Sequence, residues 1–412
     1  MSKSVLILII SVVTLFCGQN TKEPNLIKRE DSRTKDSLTT ILKNTNKEGE
    51  LVGFSVAIID QNNVLYNNGF GFADAKNKVK YQNNTIQNVG SISKTFIGIS
   101  LLKAQELGKL NLNDPINKYL PFDVTNPNYP NTPITILQLA THSSSIVDYE
   151  ENYLKGYFLK NEKIEKDEVP FTHFQNPGKK TSMLSFLEDC FSKDGKWYTP
   201  ESFSKNKPGS TFEYTNFGAD LCGLIIAQAT GMSFKDFTKK HIFEPLQMND
   251  SAWKLNEVDT DRRSKFYLYK GQKIADYEAV SYPSGSLLTT SENLSKYLAE
   301  LMKGYDGKGS LLNKSSYKTF FEKRFENNLN KSGRINVGTF VEYNNDFIGS
   351  KDLLIGHNGS CIGSLAMMYF NPETKIGKIL MINTDIDYNE EVVVPYIKDV
   401  WKSIIEFENK IK

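Results

Sequence analysis

The chain has 412 residues, 39% of them hydrophobic and 12% aromatic, enough to build a large buried core in one domain or two intimate ones. With 50 Lys and Arg against 48 Asp and Glu, the net charge of +2 gives no electrostatic reason to invoke nucleic acid. The only histidines, His142, His173, His241 and His357, form neither H-x-H nor H-x-x-x-H, so no metal site and no cofactor is expected.

Residues 1–23 read as an export segment. Lys3 gives a positive start, and residues 5–16 are an almost unbroken apolar run, too short for the about 20 residues of a membrane-spanning helix but suited to a secretory signal peptide. Cys17, directly after that run, resembles a bacterial lipoprotein processing site. The resemblance implies cleavage before Cys17, a lipid on its sulfur, and an exported chain anchored at the periplasmic or cell surface of a bacterial membrane. Ordinary signal-peptide cleavage is the alternative. The other cysteines, Cys190, Cys222 and Cys361, allow at most one bridge, and Cys222 in an apolar stretch is expected to be a buried free thiol.

The body of the chain, residues 24–412, then begins. Leu38, Ile41 and Leu42 predict an amphipathic helix over residues 26–47, closed by Gly49. Residues 54–59 read as a strand that pairs with residues 64–72 across the turn at Gln61, Asn62 and Asn63. Phe96, Leu101, Leu102 and Leu107 predict a helix after Ser91 that stops at Gly108. Residues 150–207 are polar and loop-rich, an insertion expected to carry helices over the core. Residues 214–230 return to apolar helix, with Gly231 as its cap. Strands dominate residues 338–383, and the tail sets Val393, Ile397, Val400, Trp401 and Ile404 on one helical face. Strands at both ends with helices between imply an α+β sheet assembled from distant sequence.

Three constellations bear on chemistry. Neither the G-x-S-x-G elbow nor a phosphate-binding loop occurs. Gly90-Ser91-Ile92-Ser93-Lys94 sets a hydroxyl and an amine one helical turn apart. A helix start favours an oxyanion and disfavours an ammonium, so Ser91 suits a nucleophile and Lys94 a proton acceptor. The S-x-x-K spacing recurs, as at Ser202–Lys205; the preceding glycine and the following apolar helix single out Ser91. Tyr214-Thr215-Asn216 follows a Pro-Gly turn and opens a helix, offering a phenol as proton relay and an amide for a substrate carbonyl. Gly356-His357-Asn358-Gly359-Ser360 leads into an apolar strand, where a hydrogen-bonding group followed by glycine on an edge strand lets a substrate backbone lie alongside.

The order S-x-x-K, Y-x-N, H-x-G resembles the serine β-lactamase and penicillin-recognising family, in its class C β-lactamase and D-alanyl-D-alanine carboxypeptidase branch. The stretches at residues 135–146, 242–248 and 282–291 are similar too, and the likeness spans roughly residues 35 to 405. It implies a β-lactamase/transpeptidase-like α+β fold: an antiparallel sheet flanked by N- and C-terminal helices, with a mostly helical insertion over about residues 100–280 and a site in the cleft between. It implies Ser91 as acylated nucleophile, Lys94 as its proton partner, Tyr214 as relay to the leaving group and Asn216 as substrate contact. His357 stands where many relatives have lysine, and Ser360, after Gly359, is expected to give a second oxyanion N–H beside that of Ser91.

The chain departs from the family pattern at three places. His357 removes a permanent cation, which makes Lys94 the resting base and Tyr214 a neutral relay. Asn358 replaces a hydroxyl that helps to hold the carboxylate of penicillins and of D-Ala-D-Ala peptides, which counts against efficient β-lactamase activity and shifts weight toward esters, other amides or unusual peptides. Ser145 stands in place of a glycine. The expected partner is thus a small-molecule or peptide substrate of a serine hydrolase. A non-catalytic penicillin-binding-like protein of the cell envelope is the alternative.

Overall fold

The computed structural model describes residues 24–411, apart from 48, 327–328, 330–332, 346–347, 349 and 388–389. The expected export segment, residues 1–23 with Cys17, lies outside the described residues.

Eight strands form one antiparallel sheet, in the order Arg334–Val337, Glu342–Asn344, Leu354–Cys361, Ser364–Asn371, Ile376–Ile382, Gly53–Ile59, Val64–Asp74, Val79–Lys80. The strand Gly53–Ile59 reads as a continuous apolar run because both faces of the sheet are covered, and all seven of its residues are buried. Its pairing with Ile376–Ile382, in the register Val56↔Leu380, joins the two ends of the chain. The predicted hairpin partner, Val64–Asp74, lies on its other side.

Alternation along the strands divides the core in two. Val56, Ile58, Met367 and Tyr369 point to the face covered by the terminal helices Pro24–Thr45 and Glu390–Ile411, where they meet Leu38, Leu42, Trp401 and Ile404. Ile41 is only half-buried at the margin of that contact. Ala57, Ile59, Ala366 and Met368 point the other way, into the larger core around the helices Ser93–Glu106 and Ser291–Tyr305. There Phe96 stacks on Tyr297 at 3.7 Å. The helix Ser93–Glu106 is buried on every side over its first ten residues, which is why its apolar positions show no single stripe.

The segment expected to be mostly helical also holds small sheets. Tyr157–Leu159 pairs with Tyr277–Ala279, and Glu168–Val169, Gln272–Ile274 and Tyr267–Tyr269 form a three-stranded group. Runs of two or three residues carry too little alternation to be read from sequence. The helices there include Met183–Phe191 and Asn216–Thr230, the latter capped by the Thr215 side chain at its start and by Gly231, at φ 71°, at its end. Cys190, Cys222 and Cys361 are free thiols.

Candidate active site

Ser91 is not the first residue of the long helix. It sits in a short 3₁₀ turn, Gly90–Ile92, that feeds the helix Ser93–Glu106 and keeps Lys94 one turn onward. Gly90 adopts φ 54°, and a Cβ there would lie 2.8 Å from the Ser360 nitrogen; a Cβ on Gly359 would lie 2.5 Å from the Ser91 nitrogen. Side chains are excluded at both positions, so the backbone amides of Ser91 and Ser360 lie side by side. The strand Leu354–Cys361 is therefore an edge only in part. The neighbouring strand covers it from Leu354 to Gly356, beyond which residues 357–361 pair on one side only and turn the other toward Ser91.

Lys94 is fully buried. Its Nζ donates to Ser91 Oγ at 2.9 Å, to Asn216 Oδ1 at 2.7 Å and to the Ser284 carbonyl at 2.9 Å. Three acceptors satisfy the three hydrogens of an ammonium, and they also leave room for the amine to accept from Ser91 while donating to the other two. The Tyr214 ring lies beside this amine, with its centroid 4.9 Å from Nζ. Asn216, two residues on, opens the helix Asn216–Thr230 and reaches Lys94 directly.

Asp148 was not picked out by sequence reasoning, yet it organises this end of the site. It accepts from the Thr215 hydroxyl (2.7 Å), from the backbone N–H of Asn216 (2.8 Å) and Phe217 (3.0 Å), and from the Asn216 amide (2.8 Å). One carboxylate thus caps the helix and aims Asn216. Asp220 lies one turn along the same helix, fully buried, and accepts the Ser284 N–H at 2.8 Å. Burial pushes its carboxyl up to about 7. A charged residue inside an otherwise apolar helical run was a visible signal for Asp220; Asp148, in a loop, had none.

His357 does not face the cleft. Its ring is 1% exposed, 6.3 Å from the Tyr214 ring, with Nδ1 against the Asn358 carbonyl and Nε2 3.5 Å from Glu342. Burial holds it below the ordinary histidine range, although Glu342 opposes this, so the imidazole is neutral near pH 7. The cation beside Tyr214 comes instead from Arg334, which no motif or spacing singles out. Its guanidinium lies 5.6 Å from the Tyr214 centroid and 5.4 Å from that of Phe212, and it pairs with Glu342. Burial alone would raise the Glu342 carboxyl; His357 and Arg334 hold it below its usual value, and with His357 neutral the guanidinium is the charge that does so.

His142 stacks on Tyr214, at 4.4 Å between centroids. Burial holds this histidine well below its ordinary value, consistent with its Nδ1 accepting the Thr215 N–H at 3.2 Å. Ser145 adopts φ 66°, the left-handed conformation that a glycine takes without strain.

These residues open on a cleft of about 410 Å³. Ser91, Tyr214, Asn216, Asn358, Gly359 and Ser360 line it; Tyr153, Tyr157 and Tyr277 make an aromatic wall; Arg334 is its only charged lining residue among the described residues. No cluster of three metal-ligating side chains occurs among the described residues.

The profile of the Beta-lactamase family matches residues 38–396. The chain belongs to that family. It is a family of β-lactamase-like serine hydrolases. Protein flp of Staphylococcus aureus (strain MW2) is 24% identical over 364 residues, which are 87% of this chain and 65% of that protein, so the chain spans just under two thirds of its curated relative. Among solved structures, the octameric penicillin-binding protein homologue from Pyrococcus abyssi superposes with a TM-score of 0.68 at 25% identity, covering 89% of this chain and 77% of that one. The D-amino acid amidase from Ochrobactrum anthropi SV3 gives a TM-score of 0.66 at 20% identity over 91% of this chain and 99% of its own, a likeness of fold.

Proposed function

We propose that this member of the family hydrolyses acyl bonds through a covalent intermediate on Ser91, acting on a carboxylic ester, an amide or a D-amino-acid peptide. The observation that carries the reading is the 2.9 Å contact between Lys94 Nζ and Ser91 Oγ. Lys94 takes the hydroxyl proton as Oγ bonds to the substrate carbonyl carbon. The electron pair of the carbonyl moves to its oxygen, which the adjacent N–H groups of Ser91 and Ser360 receive. Collapse expels the leaving group, which takes a proton relayed from Lys94 by Tyr214, and water repeats the cycle on the acyl-enzyme. Asn216 divides its amide between Lys94, from which Oδ1 accepts, and Asp148, to which Nδ2 donates, and it lines the cleft. His357 acts at one remove, through Glu342 and the Tyr214 environment. With Asn358 in place of a hydroxyl, esters and peptides are favoured over β-lactams.

The test is a panel of p-nitrophenyl esters, a chromogenic cephalosporin and D-Ala-D-Ala peptides, run with wild type and Ser91→Ala alongside fluorophosphonate labelling. Turnover and a Ser91 adduct that both vanish in Ser91→Ala, at unchanged melting temperature, are expected. A folded wild type with neither would make the chain a cell-envelope binding protein that keeps the fold. We also propose export and lipid attachment at Cys17; palmitate incorporation that survives Cys17→Ala would refute the attachment.

A further inference from the structure

Lys94 is a buried amine whose three described acceptors are all neutral: a hydroxyl, an amide oxygen and a peptide carbonyl. Two of these three acceptors belong to residues that a carboxylate grips from behind. Asn216 Nδ2 donates to Asp148 at 2.8 Å, so the amide that receives Lys94 is itself anchored on an acid. The Ser284 N–H donates to Asp220 at 2.8 Å, so the residue whose carbonyl receives Lys94 is anchored on a second. The two acids come from separate parts of the chain, a loop and a helix, and neither forms a described contact with the amine. The second oxygen of Asp220 is buried with no hydrogen-bond partner.

A carboxylate in direct contact with Lys94 would hold its proton. Removed by one neutral group, the same charges fix the direction of the amine while leaving it able to accept. We propose that Asp148 and Asp220 are positioning residues, which hold Lys94 through Asn216 and Ser284 at the distance from Ser91 that proton transfer requires. The inference rests on Ser91 being the nucleophile.

Asp220 adds a pH dependence. Burial lifts its carboxyl to about 7, with the Ser284 hydrogen bonds and Lys94 pulling down and Asp148 pushing up. The titratable groups around it are Lys94, Asp148, Tyr153, Tyr157 and Tyr282 from other elements and Cys222 on its own helix. Every phenol and thiol in that set is raised by burial, away from the neutral range in which Asp220 titrates.

The experiment measures fluorophosphonate labelling and p-nitrophenyl acetate hydrolysis of the full chain across pH, for wild type, Asp148→Ala, Asp220→Ala and Asp220→Asn, each checked for folding by its melting curve. Asp220→Ala is expected to label at least about tenfold more slowly with KM little changed. Asp220→Asn, which can still accept the Ser284 N–H, is expected to recover most of that rate and to lose the step near neutral pH. Asp148 also caps a helix, so the Asp220 pair decides the outcome if Asp148→Ala does not fold. A folded Asp220→Ala that labels as fast as wild type at every pH would overturn the inference and leave the nucleophile standing. A wild type that takes no label at Ser91 would overturn both.

Discussion

Two buried charge clusters flank Tyr214, and they are built on opposite plans. On one side Lys94 touches only neutral acceptors, with Asp148 and Asp220 one group further away. On the other, Arg334 touches Glu342 directly, and His357 stands 3.5 Å from the same carboxylate. Direct contact fixes the charge state of both partners, because each stabilises the charged form of the other. Separation by a neutral group keeps the geometry and leaves the amine free to change its proton. In the proposed mechanism the first cluster exchanges a proton, while the second holds a positive charge at the cleft.

That contrast can be broken at three points. The largest effect is expected from Lys94→Gln, which keeps hydrogen bonding but removes the proton acceptor: hydrolysis and Ser91 labelling should fall on the order of 10³-fold while the protein stays folded. Steady-state kinetics and a melting curve measure both. Glu342→Gln should behave in the reverse way. It leaves the Arg334 guanidinium without its counter-charge, so stability should fall by about 3 kcal/mol in urea unfolding, with labelling of Ser91 affected far less. Equal loss of labelling in Glu342→Gln and Lys94→Gln would erase the distinction between the clusters.

The smallest effect is a pH dependence of stability with a definite sign. Asp220 has its folded pKa raised, from 3.8 to about 7, so its contribution to stability is complete below the unfolded value and is lost as pH rises to the folded one. Asp220→Asn should therefore gain melting temperature over wild type progressively between about pH 4 and about pH 7, with the gain constant above that. His142 and His357 have the opposite sign. Their folded values are lowered, so stability is lost as pH falls below the ordinary histidine range, and in wild type the two trends partly cancel. Removing Asp220 should thus sharpen the acid limb of the stability profile.

Much of the architecture was legible because it depends on local pattern. The apolar run at Gly53–Ile59, the hairpin to Val64–Asp74, the Gly231 cap and the tail helix each follow from spacing and turn chemistry within a few residues. The three motifs were legible for the same reason: S-x-x-K needs only one helical turn to bring Ser91 and Lys94 together. The small sheets of the insertion were not legible, because strands of two or three residues exist only through their partners.

The sequence by itself determined which side chains stand one turn apart, which segments bury a face, and which family order the motifs follow. Only the tertiary structure decided what surrounds them. His357 was expected at the cleft, but the strand that carries it turns the ring to Glu342, and Arg334, 23 positions earlier in the chain, supplies the cation beside Tyr214. Asp148 and Asp220 stand one neutral group behind Lys94 only because a loop and a helix converge on Asn216 and Ser284. Local spacing fixes contacts along the chain, whereas the electrostatics of a buried amine depends on charges brought in from elsewhere in the fold.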